Sequence, residues 1–187
     1  MFSEVIKNDR HYTYADLLEF DDDSRWELID GVAFLMAPPK RIHEEISVAI
    51  LKQLAVFLTG KPCRVYGGNL GVRLDASRGD DTLVIPDITV VCDKSKLDDM
   101  GCTGAPDMIV EILSPSTAAR DRLIKFNKYL TSGVREYWIV DPEAKTVSAH
   151  VLENGKYIIN VYGDTDTPEV HVLAGCAINL AEVFAVE

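Results

Sequence analysis

The run Asp107-Met108-Ile109-Val110-Glu111-Ile112-Leu113-Ser114-Pro115-Ser116-Thr117, read together with Gly133-Val134-Arg135-Glu136-Tyr137-Trp138-Ile139-Val140, decides the fold. Residues 107–113 are an apolar stretch of strand length interrupted by Glu111. Ser114, Pro115, Ser116 and Thr117 are residues that open helices, and Leu123, Phe126, Tyr129 and Leu130 recur at helical spacing until Gly133 ends the run. Residues 137–140 are a second apolar strand. Strand, helix and strand within about thirty residues predict a right-handed crossover between two parallel strands.

Upstream, residues 83–91 read as one nearly continuous apolar strand of the central-sheet kind, and residues 65–74 as a strand interrupted by glycine. Pro86 cannot donate to a ladder and Asp87 puts a carboxylate in the run, so the pair predicts a bulge or twist that aims a side chain. Asp30-Gly31 and Asn154-Gly155 are type I′ turn pairs, which predicts a hairpin near each end. Between them, Ile46, Ala49, Ile50, Leu54, Phe57 and Leu58 describe a helix from about residue 42 to Gly60. Thr13 and Asp16 form a weakened capping box before a short helix. The sum is an α/β protein, a mixed β-sheet flanked by helices with N-terminal and C-terminal β-hairpins. No repeat, low-complexity tract or long linker divides it, so residues 1–187 are read as one domain.

Charge restricts the partners. Nineteen Lys and Arg against thirty Asp and Glu give a net charge of −11, which argues against coating DNA by bulk electrostatics. A local basic island remains, since Arg120, Arg122, Lys125, Lys128 and Arg135 are opposed there only by Asp121. No apolar run has the roughly 18 to 20 residues of a membrane span, and Met1-Phe2-Ser3-Glu4 lacks the order of a signal peptide, so a cytoplasmic location without membrane association is expected. Cys63, Cys92, Cys102 and Cys176 contain no Cys-x-x-Cys pair and are expected to be buried free thiols.

Asp87 and Glu111 both break apolar strands, and a carboxylate in a sheet centre needs a partner or a cation. With the backbone carbonyl of Ile112 they make an oxygen corner for Mg²⁺, the remaining positions going to waters and a phosphate. Lys125 completes the site on a reach estimate. It lies about 12 Å down the following helix and reaches back by roughly 6 Å, while Glu111 lies about 6.6 Å inside the strand end. Asp121 and Tyr129 share its helix face at i−4 and i+4, where Asp121 would orient the ammonium.

Pro86-Asp87, Glu111 through Thr117, Asp121, Lys125, Tyr129 and residues 133–142 together resemble the Uma-type restriction endonuclease family of the PD-(D/E)xK nuclease superfamily. The likeness extends through residues 26–31 and His43, covering about residues 12–152. It implies a restriction-endonuclease-like fold, Asp87 and Glu111 as metal ligands, and a lysine moved from two residues after the Glu, where Leu113 stands, onto the next helix. Lys125 occupies that place and Lys128 is the runner-up.

Four further residues have secondary assignments. Glu27 is either a solvated or cross-strand carboxylate or a metal-binding one, and His43 a helix cap or a residue that contacts a phosphate or tunes a neighbouring acid. Ser114 and Ser116 cap the helix and could cradle a phosphate. The expected activity is Mg²⁺-dependent endonucleolytic hydrolysis of DNA, with Mn²⁺ as an alternative ion. The competing reading is a catalytically degenerate nuclease fold that binds nucleic acid or a protein. A homodimer would supply two active centres, and a separate basic protein could recruit DNA to so acidic a chain.

Overall fold

A computed structural model of the protein describes residues 10–20, 24–115 and 118–186. Nine of its strands and its longest helix position the site: β1 (Trp26–Ile29), β2 (Val32–Leu35), α2 (Arg41–Leu58), β3 (Arg64–Gly67), β4 (Val72–Arg73), β5 (Leu83–Val84), β6 (Ile88–Val91), β9 (Met108–Ile112), β10 (Glu136–Asp141) and β11 (Thr146–Glu153). The other described elements are the short helix α1 (Tyr14–Leu17), the strands β7 (Leu97–Asp98), β8 (Gly101–Thr103) and β12 (Lys156–Gly163), the helices α3 (Phe126–Ser132) and α4 (Leu180–Val183), a 3₁₀ turn (Lys94–Lys96) and a π-helical turn (Arg120–Lys125).

The strands form two mixed sheets, ordered β2-β1-β5-β4-β8-β7 and β12-β11-β10-β9-β6-β3. In the second, β9 runs parallel to β10, with Glu111 opposite Ile139, and antiparallel to β6. The strand-helix-strand run thus yields the expected parallel pair. Side chains alternate across β9. Met108, Val110 and Ile112 pack with Ile46, Ile50 and Leu54 of α2, while Ile109 faces Tyr129, Tyr137 and Ile139 on the opposite side. Glu111 shares the side of Ile109, so its carboxylate lies beneath the segment that leads into α3.

The two long strands read from the sequence are each broken, and for one reason. β3 pairs with β6 in one sheet and β4 with β5 in the other, so the chain crosses between sheets at residues 68–71 and returns at residues 85–87. Pro86, which lacks an N–H, stands at the return. The Pro86-Asp87 step is therefore a switch between sheets rather than a bulge within one strand. Backbones pass closely here: Cys102 N–H donates to the Gly71 carbonyl at 2.9 Å, and a Cβ on Gly101 would lie 2.2 Å from that oxygen.

Both hairpins form on the expected turns, with φ of 51° and 75° at Asp30 and Gly31 and 49° and 78° at Asn154 and Gly155. Thr13 and Asp16 make a full reciprocal capping box on α1. The cysteine expectation needs correction: Cys63 and Cys92 form a disulfide, and only Cys102 and Cys176 are free and buried. The pairing of Arg64 with Val91 brings the two half-cystines opposite one another, a register that spacing alone cannot reveal. Among the described residues no helix is long and apolar enough to cross a membrane.

His150 is buried between Tyr137, Tyr157 and Phe126, with Nδ1 2.9 Å from the Tyr137 carbonyl oxygen. Burial holds its pKa below the usual 6.5 despite backbone hydrogen bonds. The unfolded chain therefore takes up this proton first as pH falls, and the native state loses stability below about 6.5. Urea unfolding across pH 7 to 5 should show the wild type losing stability relative to His150→Gln; parallel pH profiles would contradict this.

Candidate active site

A buried ammonium is the centre of the site. Lys125 Nζ lies 2.7 Å from Glu27 Oε1, 2.8 Å from Glu111 Oε1 and 3.6 Å from Asp121 Oδ1. Glu27 is wholly buried, and Lys125, Glu111 and Asp121 are no more than 4% exposed. Glu27 Oε1 also accepts from Ile85 N–H at 3.0 Å, and the Tyr129 hydroxyl donates to Glu111 Oε1 at 2.7 Å. Burial disfavours the charge on Lys125, but Glu111, Glu27 and Asp121 outweigh it and raise its pKa. Burial likewise pushes Glu111 up to about 8, with Lys125 pulling it down and Asp121, Asp87 and Glu27 pushing it up. Three carboxyl groups thus crowd one ammonium.

Asp87 approaches from the sheet switch. Its Oδ2 accepts from Ile112 N–H at 2.7 Å and lies 3.1 Å from His43 Nε2, which the first turn of α2 supplies. Burial opposes protonation of His43, yet the hydrogen bond and charge of Asp87 prevail and raise its pKa above the ordinary value. The contacts on Asp87 and Glu111 engage one oxygen of each carboxylate. Asp87, Glu111, Ile112, Ser114 and Lys125 all line one cleft of about 530 Å³.

The segment between β9 and α3 has a geometry that helical spacing misses. Arg120–Lys125 is a six-residue π-helical turn. In an α-helix, residues five apart point about 140° from each other. The wider i→i+5 turn brings Arg120, Asp121 and Lys125 to the buried side together. Arg120 Nη2 then lies 3.3 Å from Glu27 Oε2. Sequence reasoning missed Arg120 as a member of the site, because α-helical spacing separates it from Lys125. Tyr129 was placed on the right face by its i+4 spacing, without its partner being legible.

Several expectations change. Glu27 is neither solvated nor an open metal ligand, since Lys125 and Arg120 engage its two oxygens. Lys128 turns away to pair with Asp30 and does not line the cleft, whereas Lys125 does. Leu113, where the superfamily pattern places lysine, is buried in an apolar cluster. Ser116 lies outside the described residues. The basic island is not a surface patch: Arg122 pairs with Asp141, Arg135 with Asp107 and Lys128 with Asp30, while Arg120 and Lys125 are buried.

Comparison with known proteins shows the family and the fold. The family Uma2, described as "Putative restriction endonuclease", matches residues 12–181. The chain belongs to the Uma2 family. A relative, "Uncharacterized protein slr1290" of Synechocystis sp. (strain ATCC 27184 / PCC 6803 / Kazusa), is 27% identical over 146 residues, covering 77% of this chain and 75% of its own. The crystal structure of "a putative nuclease belonging to DUF820" from Anabaena variabilis ATCC 29413 superposes with a TM-score of 0.74 at 18% identity. That match covers 92% of this chain and 97% of the other, and it establishes a shared fold.

Removing the ammonium should be costly. Lys125→Met leaves Glu27, Glu111 and Asp121 buried around an apolar side chain, and should lower stability by about 3–5 kcal/mol in urea unfolding at neutral pH. Adding Glu27→Gln should recover part of that loss. A single variant as stable as wild type would show that the cluster is not held by this charge.

Proposed function

We propose that this Uma2 protein is a divalent-metal-dependent endonuclease that hydrolyses phosphodiester bonds in DNA, with Asp87 and Glu111 as metal ligands and Lys125 as the catalytic cation. The observation that carries this is the convergence of these three groups, from β9, the sheet switch and the π-helical turn, on one cleft.

The donor set fits a hard cation. Among the described residues no group of three His, Cys, Asp or Glu side chains is arranged to hold a metal. What the cleft offers is two carboxylates and the Ile112 carbonyl, an oxygen set suited to Mg²⁺ or Mn²⁺, since Mg²⁺ keeps several waters and shares a phosphate. The surplus of buried carboxylates around Lys125 supports the same reading. When bound, such an ion neutralises charge on the phosphate and acidifies water. His43 and the Ile112 N–H hold Asp87 in one orientation, while Tyr129 and Lys125 do so for Glu111. Lys125 lies where an ammonium can orient the attacking water or stabilise negative charge as it develops on the phosphate. Ser114, in the cleft wall, would receive a neighbouring phosphate.

Residues 1–187 would act as one nuclease domain in the cytoplasm, with no membrane partner. Two copies would be needed to cut both strands of a duplex, and the acidic charge favours a basic protein that recruits DNA. One observation favours a second reading, a nuclease fold that binds nucleic acid or protein without cleaving it: three carboxylates already surround Lys125 and leave it 2% exposed.

Calorimetry and plasmid cleavage separate the two. The wild type should bind Mn²⁺ and nick supercoiled DNA with Mg²⁺, and Asp87→Ala should lose both. Metal binding and cleavage that survive Asp87→Ala would sink the proposed mechanism, whereas metal-independent DNA binding without cleavage would support the second reading.

A further inference from the structure

Arg120 is a buried cation with more donors than partners. It is 9% exposed, and its Nη2 makes its one ion pair among the described residues, with Glu27 Oε2 at 3.3 Å. Its Nε and Nη1 are buried and have no hydrogen-bond partner among the described residues. The guanidinium carbon lies over the Phe34 ring, 5.2 Å from its centroid, and the residue forms part of the cleft wall with Asp87, Glu111 and Lys125. Leaving N–H donors of a charged group buried and unmatched costs the desolvation of those donors, so they call for an acceptor.

The fold supplies one nearby acceptor, Glu27 Oε2, 3.3 Å from Nη2; Glu27 Oε1 is taken by Lys125 and Ile85 N–H, and Phe34 offers only a ring, so Nε and Nη1 stay unmatched among the described residues. A guanidinium presents five donors in a rigid fork that matches two oxygens of a phosphate, and contact with Glu27 leaves most of that fork unused. The π-helical turn is what directs Arg120 to the cleft side, five residues from Lys125. Glu27 bridges the two cations and so fixes their spacing.

We propose that Arg120 is a phosphate-binding residue of this cleft: its unpartnered donors receive the non-bridging oxygens of a DNA phosphodiester, while Glu27 positions the guanidinium. This rests on the nuclease reading for the identity of the ligand and adds a residue to it. Arg120 has no part in metal ligation, so its contribution is to substrate affinity and salt dependence.

The test is fluorescence anisotropy with a short fluorescein-labelled DNA duplex, with Ca²⁺ replacing Mg²⁺, across a series of KCl concentrations. Arg120→Gln should weaken binding by about tenfold, and the slope of log affinity against log salt should become shallower by about 0.9, the signature of one lost phosphate contact. Arg135→Gln, which removes a cation paired with Asp107 outside the cleft, should change neither. Because Arg120→Gln strands Glu27, the double variant Glu27→Gln/Arg120→Gln, which leaves no unpaired charge at that contact, serves as the folding control and should show the same loss. Either variant binding with wild-type affinity and slope overturns this inference alone. Duplex binding that depends on Arg120, in a protein that cleaves nothing with any divalent ion, sustains it and overturns the nuclease reading. Absence of duplex binding by the wild type overturns it together with the DNA assignment.

Discussion

The site depends on burying one ammonium among three carboxylates. Lys125 contacts Glu27 from the N-terminal hairpin, Glu111 from the central strand β9 and Asp121 from its own π-helical turn. A buried charge is tolerated only when paired, so each of these elements is held in place by the others. The constraint is mutual: without Lys125 the acids repel, and without the acids the lysine has no reason to be inside. Glu27 extends it by joining Lys125 to Arg120.

Around that cluster, the fold divides its labour. The α2 face of the second sheet is apolar beneath the helix, with Ile46, Ile50 and Leu54 packed on Met108, Val110 and Ile112, and Glu136 on the same side accepts from Trp138 Nε1–H and Val172 N–H. The opposite face carries the charges of the site, together with tyrosines that satisfy them. Tyr129 donates to Glu111 and Tyr137 to the Asp121 carbonyl, so aromatic bulk and hydrogen bonding come from the same side chains. Asp87 enters at the point where the chain leaves one sheet for the other, a place where backbone N–H groups are not committed to a ladder. A rigid apolar layer thus supports a polar one that is open only along the cleft.

How far the sequence could be read follows from the range of each interaction. The parallel strand pair, both hairpins and the α2 helix were legible because periodicity and turn chemistry are local. Asp87 and Glu111 stood out as acids in apolar strands, and the reach from Lys125 to Glu111 could be estimated because strand and helix rises are constant. The Cys63–Cys92 disulfide was misread because it needs the β3–β6 register, and the strand over residues 83–91 was read as one because two sheets can share a continuous apolar run. Lys128 was a reasonable second lysine by helical spacing, yet its partner Asp30 belongs to a distant turn.

By itself, the order of residues determined which segments are strands and helices, where the hairpins turn, and which acids required a partner, since these follow from neighbours within a few positions. Only the tertiary structure decided that Glu27 is inside rather than solvated, that Arg122, Lys128 and Arg135 scatter to separate acids, and that Arg120 turns to the cleft. Those outcomes depend on a π-helical turn and on contacts across as many as 98 positions, between Glu27 and Lys125, and long-range charge pairing leaves no periodic trace in a chain.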